Sequence, residues 1–192
     1  MREIEIKLRV NNLDELEKKL IDSGLVISKE IKQHDVIYSR VGDTHDYIED
    51  YEGHIAVRIR NQEGVSILTI KQQRSNELDN IEYETIVEDG ETMHQILLLL
   101  GWKPEVEVKK IRKKGKLLVP RSLGEVGGEY EICLDRVEQL GDFVELEKLT
   151  NDSADPDKVV EELFEALKPY GLSRAEEEKR GYDTQIYQLK NK

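Results

Sequence analysis

Charged residues of like sign recur two positions apart along several segments of the chain. Because successive side chains of a β-strand point to opposite faces, residues at i and i+2 share one face. Paired carboxylates suit hard divalent cations, which take oxygen ligands, and paired Lys and Arg suit phosphate oxygens. The acidic sets are Glu3 with Glu5, Glu82 with Glu84, Glu131 and Asp135 around Cys133, and Glu145 with Glu147; the basic sets are Arg58 with Arg60 and Lys110 with Arg112.

For any single strand this alternation has an ordinary explanation. An antiparallel sheet with one face in water alternates apolar and polar residues in the same way. Several segments with like-charge pairs fit that explanation less well, because like charges on one face repel unless a counterion lies between them. Acidic pairs for a metal ion and basic pairs for phosphate together favour a site for a metal-bound polyphosphate. The pattern alone leaves both interpretations open.

The order of these motifs resembles a known family. Glu3-Ile4-Glu5-Ile6-Lys7 is similar to the ExExK signature of the CYTH superfamily, the triphosphate tunnel metalloenzymes. That family includes class IV adenylyl cyclases of the CyaB type, thiamine triphosphatases and inorganic triphosphatases. Further matches follow in order over roughly residues 1–150: Gln33-x-Asp35, Val57-Arg58-Ile59-Arg60, Leu68-Thr69-Ile70-Lys71, Glu82-x-Glu84, Lys110-x-Arg112, Asp135-Arg136-Val137 and Leu140-Gly141-x-Phe143-Val144-Glu145-Leu146-Glu147.

The resemblance implies a fold and a set of site residues. The fold is an eight-stranded antiparallel barrel, closed into a tunnel with a charged lumen. Mg²⁺ or Mn²⁺ would be held by Glu3, Glu5, Glu145 and Glu147, supported by Glu84 and Asp135. The triphosphate would be held by Lys7, Arg58, Arg60, Lys71, Lys110 and Arg112, with Asp35 also in the substrate site. Of these, the expected catalytic residues are Lys7, Arg58, Lys71, Lys110 and Arg112.

Three departures from the family pattern bear on substrate choice. The usual Q-x-D-x-Y-F reads Gln33-His34-Asp35-Val36-Ile37-Tyr38, so the aromatic residue is displaced or replaced. Residues 39–54 are polar and predict a long loop. The C-terminal segment reads Arg180-Gly181-Tyr182 in place of a clear S-Y motif.

Hydrophobic periodicity predicts the elements that position these residues. The expected class is α+β, mainly β, with eight or nine strands closed into a barrel and three or four helices packed outside. Strands are expected at about 2–10, 25–38, 54–61, 65–73, 80–88, 105–114, 116–120, 128–137 and 142–150. Helices are expected from Asn12 to Gly24, over Glu91–Gly101, and within 156–190. The apolar run Ile96–Leu100 and Trp102 are expected in the core.

Composition and length narrow the class of protein. The chain has 192 residues and a formal net charge of −12, which argues against a general nucleic-acid binder. Its one cysteine, Cys133, excludes an intramolecular disulfide framework and a multi-cysteine zinc site. No apolar run approaches the roughly 20 residues of a membrane span. We therefore expect a single cytoplasmic domain over 1–192, with the barrel at about 1–150 and C-terminal helices at about 156–190.

The function expected from the resemblance is that of a class IV adenylyl cyclase, which converts ATP to cyclic AMP and pyrophosphate. One alternative is a triphosphatase acting on thiamine triphosphate, inorganic triphosphate or nucleoside triphosphates. Another is a protein that binds polyphosphate or nucleotide without catalysis. The expected partner is a small-molecule triphosphate, with no nucleic acid and no membrane. The sequence leaves open the organic group, the choice between Mg²⁺ and Mn²⁺, and whether the chain forms a homodimer.

Overall fold

The structure is a computed structural model that describes residues 2–42, 51–119 and 128–191. Residues 43–50 of the predicted loop, including His45, lie outside these ranges.

Eight antiparallel strands close into a barrel, which confirms the predicted fold class. Neighbours around the barrel follow the order β1-β5-β4-β3-β2-β6-β7-β8. The strands are β1 (Arg2–Arg9), β2 (Ile31–Arg40), β3 (Ile55–Gln62), β4 (Val65–Gln73), β5 (Asp79–Val87), β6 (Trp102–Leu118), β7 (Glu129–Val137) and β8 (Gly141–Thr150). Strands that carry the two halves of the expected metal site, β1 and β8, are neighbours, and Glu5 lies directly opposite Glu147.

Four α-helices accompany the barrel in the described residues. They are α1 (Leu13–Asp22), α2 (Gly90–Leu99), α3 (Pro156–Leu167) and α4 (Tyr182–Lys190). The side chains of Asn12, Asp89 and Asp155 accept hydrogen bonds from backbone N–H groups at the starts of α1, α2 and α3. None of these helices has the length and apolar character that crossing a membrane requires.

The largest apolar core lies outside the barrel, between its wall and the helices. Ile4, Ile6 and Leu8 of β1 are almost fully buried there, packed with leucines of α1 and α3. The other face of β1 carries Glu3, Glu5 and Lys7, which line the lumen. The strict alternation of β1 thus separates an apolar outer face from a charged inner one.

The prediction of separate strands at 105–114 and 116–120 was wrong, because β6 is continuous through Gly115. Gly115 lies in a bridge to Ile27, and a Cβ atom there would come within 2.9 Å of the Ile27 side chain. This glycine therefore permits a close approach of two segments and does not mark a turn. The strand predicted from residue 25 begins only at Ile31, and Ile27 contributes that single bridge.

The prediction that Ile96–Leu100 lies in the core was also wrong. Only Leu97 is buried, against Tyr38, Val57 and Ile59, whereas Leu99 is 89% exposed. Five consecutive residues cover more than one helical turn, so a helix resting on the barrel by one face cannot bury them all. Trp102 is half-buried beside the same cluster.

Candidate active site in the barrel lumen

The barrel lumen contains a cavity of about 660 Å³ lined mainly by charged side chains. Seven of the lining residues are Lys or Arg and ten are Asp or Glu. The predicted site residues Glu3, Glu5, Lys7, Asp35, Arg58, Arg60, Lys71, Glu84, Lys110, Arg112, Glu145 and Glu147 all line this cavity. The acidic excess favours the binding of cations along with an anionic ligand.

Three carboxylates converge on one side of the lumen. Glu3 and Glu5 of β1 and Glu147 of β8 each place a carboxylate oxygen within 4.8 Å of the others. Burial, followed by the charge of Glu145, raises the pKa of Glu5 to about 7. Burial and the charge of Glu3 raise the pKa of Glu147 to about 8. The ammonium groups of Lys7 and Lys71 oppose the rise at Glu5 without cancelling it. This oxygen-only donor set fits Mg²⁺ or Mn²⁺.

Two aspartates elsewhere in the barrel hold arginines in fixed positions. Asp35 of β2 accepts two hydrogen bonds of 2.7 Å from Arg60 of β3. Asp135 of β7 accepts from both Nε and Nη2 of Arg112 of β6. Burial by itself would raise the pKa of Asp35, but the hydrogen bond from Arg60 and the charge of Arg58 outweigh burial and hold this pKa well below its usual range. These pairs orient cationic groups before any ligand arrives.

Lys71 lies beside the carboxylate cluster, whereas Arg58 lies among Asp35, Glu82 and Glu84. Arg58 Nη2 donates to Thr69 Oγ1 at 3.1 Å, and its buried Nε has no hydrogen-bond partner among the described residues. Lys71 Nζ lies 2.7 Å from Glu82 and 3.3 Å from Glu3. Burial lowers the pKa of Lys71, but Glu3 and Glu82 outweigh it and raise the value above normal. Lys71 can therefore reach phosphate oxygens beside a metal ion at the cluster.

The start of α4 closes one end of the lumen. The Tyr182 hydroxyl donates to Asp135 Oδ2 at 3.0 Å. The ammonium groups of Lys7 and Lys110 lie 4.2 and 4.9 Å from the centre of its ring. Burial and the charge of Arg112 lower the pKa of Lys110 to about 8.

Sequence reasoning did not place Tyr182 in the site. The signal available in the sequence was that Arg180-Gly181-Tyr182 stands where the family pattern has its S-Y motif. Its meaning depends on tertiary structure: Arg180 and the Gly181 N–H both donate to Glu77 at 2.6 Å, which fixes the turn before α4.

Three other predicted metal ligands lie beside cations in this structure. Glu145 contacts Arg112 and lies 3.4 Å from Lys7 Nζ. Asp135 is the partner of Arg112 described above. Glu84 accepts from Thr69 at 3.2 Å and lies 3.8 Å from Arg58. These three residues are not part of the carboxylate cluster, and their participation in metal binding stays a prediction.

A closed antiparallel barrel with acidic and basic groups facing one another across its lumen defines the class of triphosphate tunnel proteins. The chain belongs to the CYTH family: the CYTH domain matches residues 1–182. Members of this family are adenylyl cyclase-like or triphosphatase enzymes that act on triphosphates with divalent metal ions.

Individual relatives cover nearly the whole chain. A Methanocaldococcus jannaschii protein named "Putative adenylate cyclase MJ0240" is 32% identical over 176 residues, which cover 91% of this chain and 92% of that protein. The solved structure of a Vibrio parahaemolyticus protein named "putative adenylate cyclase" aligns with a TM-score of 0.76 at 20% identity, and the alignment covers 96% of this chain and 97% of that one. The structure of a Hippeastrum protein named "Putative adenylyl cyclase HpAC1", described as having a dominant triphosphatase activity, aligns with a TM-score of 0.58 at 17% identity, and the alignment covers 98% of this chain and 95% of that one.

Proposed function

We propose that this protein is a class IV adenylyl cyclase-like enzyme that converts ATP to cyclic AMP and pyrophosphate with Mg²⁺ or Mn²⁺. The observation that carries the proposal is the convergence of Glu3, Glu5 and Glu147 within 4.8 Å, in a lumen that also holds cations of which two are fixed by aspartates. The M. jannaschii relative, which carries an adenylate cyclase name, supports the choice of reaction.

The carboxylate cluster would hold the metal ion, which when bound supplies positive charge beside the reacting phosphate oxygens. Lys71, next to the cluster, would bind the phosphates nearest the metal ion, and Arg58 would also bind phosphate oxygens. Arg60 and Arg112, already oriented by their aspartates, would bind the remaining phosphate oxygens. Because these groups are held in place before the ligand arrives, they stabilise the developing charge with little reorganisation.

In this proposal the chain's role in the chemical step is to position the triphosphate. The ribose 3′-hydroxyl oxygen bonds to the α-phosphorus, the bond from that phosphorus to the β-phosphate oxygen breaks, and pyrophosphate leaves. The hydroxyl proton is released to water. The barrel cations neutralise the phosphates and so favour both the attack and the departure of pyrophosphate.

Hydrolysis of a triphosphate is the second candidate, because the charged groups described above would contact only the phosphates in either reaction. Water would then attack the γ-phosphorus and release orthophosphate. A third candidate is binding without turnover. The three candidates share one lumen and differ in the products formed.

Phosphorus NMR of ATP incubated with the protein and Mn²⁺ tests the proposal. Cyclic AMP with pyrophosphate supports it; diphosphate with orthophosphate overturns it in favour of hydrolysis, and no turnover of any triphosphate favours the binding protein. The Glu147→Gln variant, purified in parallel, shows whether the products come from this site or from a contaminating phosphatase.

A further inference from the structure

Two glutamine side chains meet in the lumen on neighbouring strands. Gln33 of β2 lies directly opposite Gln62 of β3, and both line the cavity. Gln33 is only 3% exposed. Its Nε2 donates to Gln62 Oε1 at 2.7 Å, but its own Oε1 is buried with no hydrogen-bond partner among the described residues. A buried acceptor without a donor is costly, so this carbonyl oxygen indicates a ligand.

The pair lies beside the phosphate-binding cations and away from α4. Gln33 is opposite Lys110 on the other neighbouring strand, β6. β2 begins at Ile31 and β3 ends at Gln62, so the pair is near one end of these two strands, whereas α4 packs against Ile37 further along β2. A triphosphate bound to the cations can therefore direct its organic group toward this pair.

Apolar side chains complete the surroundings of the pair. Ile31 lies opposite Arg112 and Ile67 lies opposite Arg60, and both line the cavity. This part of the lumen therefore combines two apolar side chains with two amides. Such a lining suits the ring of an organic group better than it suits a further phosphate.

The chemistry of two paired amides defines what they can bind. One hydrogen bond joins them. It leaves one carbonyl oxygen available as an acceptor and the remaining amide N–H groups available as donors. Exchanging oxygen and nitrogen in both side chains leaves the same set. An acceptor beside a donor is complementary to an N–H next to a ring nitrogen, as in the 6-amino group and N1 of adenine. Phosphate oxygens offer no N–H to the Gln33 carbonyl.

We propose that Gln33 and Gln62 bind the organic group of the triphosphate through an adjacent N–H donor and acceptor, as an aminopurine provides. This inference rests on the proposed function, because it needs a triphosphate in the lumen. It assigns the two amides to substrate selection: a nucleotide with an exocyclic amine is preferred over inorganic triphosphate and over a nucleotide that lacks the amine.

Calorimetric titration with Mg²⁺ tests this inference using three ligands. They are a bis-methylene analogue of ATP, whose phosphate chain resists both reactions, the same analogue with purine in place of adenine, and tripolyphosphate. In the wild-type protein, loss of the amino group is expected to weaken binding about three- to tenfold. The Gln33→Leu substitution is expected to weaken binding of the adenine analogue by the same factor. The variant should bind the purine analogue no more weakly than the wild type does, and its affinity for tripolyphosphate should be unchanged.

Gln72→Leu is the matched control, because Gln72 is an exposed glutamine on the neighbouring strand β4. It should change none of the three affinities. Equal weakening of the adenine analogue and tripolyphosphate by Gln33→Leu would overturn the inference alone, as would equal wild-type affinity for the two nucleotide analogues. The second comparison needs no variant and so holds even if Gln33→Leu fails to fold. Failure of all three ligands to bind the wild type would overturn the proposed function as well.

Discussion

Two groups of carboxylates in the same barrel have opposite electrostatic surroundings. Asp35 and Asp135, on β2 and β7, each accept two hydrogen bonds from an arginine. Glu5 and Glu147, on β1 and β8, lie beside other carboxylates. The pKa of Asp35 is accordingly lowered, whereas the pKa values of Glu5 and Glu147 are raised to about 7 and 8.

The difference separates groups that support the empty fold from groups that need a ligand. A buried arginine and aspartate joined by two hydrogen bonds neutralise each other, and removing one partner leaves an uncompensated charge. Like-charged carboxylates oppose folding until a cation lies between them. The two aspartate–arginine pairs therefore hold cations ready for phosphate, and the carboxylate cluster gains its stability from what it binds.

The largest expected effect is on stability, from substituting Asp35. Asp35→Asn leaves the Arg60 guanidinium, 7% exposed, without a charge partner. We expect a loss of about 3–5 kcal/mol in the free energy of unfolding. Urea denaturation in EDTA measures it. In the same assay Glu147→Gln, which removes a repelling charge, should leave the stability unchanged or raise it; similar losses in the two variants would contradict the comparison.

The next-largest expected effect is on catalysis, where Glu147→Gln is expected to lose more than Asp35→Asn does. Glu147→Gln keeps the side-chain size but removes a charge from the carboxylate cluster. Turnover of ATP with Mg²⁺ should fall by about a hundredfold or more, the scale of losing one strong transition-state contact. Glu107→Gln, on the exposed outer face of β6, is the control and should keep wild-type turnover. Full activity of Glu147→Gln at low metal concentration would remove Glu147 from the metal site.

The sequence was sufficient to predict the barrel and the contents of its lumen, because alternation in a strand fixes which residues share a face. The i, i+2 spacing put Glu3 with Glu5 and Arg58 with Arg60 on one face, and the family resemblance implied that this face is the inner one. Which acid meets which base depends on strand register across the barrel, which spacing does not encode. The pairing of Asp135 with Arg112, and the separation of Glu145 from the carboxylate cluster, follow from that register.

The elements around the barrel were predicted less well than its wall. Even within the wall, residues 105–114 and 116–120 were predicted as separate strands, whereas Gly115 lies inside β6 and permits contact with Ile27. Ile96–Leu100 was placed in the core on hydrophobicity alone, although only one face of α2 meets the barrel. The approach of Tyr182 to Asp135 depends on the anchoring of Arg180 and Gly181 to Glu77, a contact between segments about 100 residues apart.

A smaller effect concerns stabilisation by the ligand. Only the folded barrel assembles both sides of the lumen, so binding at a hundredfold excess over Kd adds about 2.7 kcal/mol. Each kcal/mol raises the Tm of a chain of this length by roughly 2–4 °C. Mg²⁺ with tripolyphosphate should thus raise the Tm by about 5–10 °C, Mg²⁺ alone by less, and Mg²⁺ with AMP by little. A thermal melt unchanged by saturating Mg²⁺ and tripolyphosphate would contradict the assignment of the lumen as the binding site.

The smallest expected effect is the pH dependence of the metal-free protein. The pKa values of Glu5 and Glu147 are raised in the folded state, so the folded chain binds more protons than the unfolded chain at pH 5.5. Their contribution to stability is therefore present at low pH and is lost as pH rises through about 7 and 8.

In EDTA, the Tm should accordingly fall as the pH rises from 5.5 to 7.5. Asp35, whose pKa is lowered, stays ionised throughout this window and contributes no slope. Glu147→Gln keeps every other titrating group, so the difference in slope between it and the wild type isolates Glu147. Saturating Mg²⁺ and tripolyphosphate should remove the contribution of Glu147 to the slope of the wild-type protein, because bound metal holds the carboxylates deprotonated. Equal slopes for the two proteins in EDTA would show that the carboxylates of β1 and β8 do not repel one another in the empty lumen.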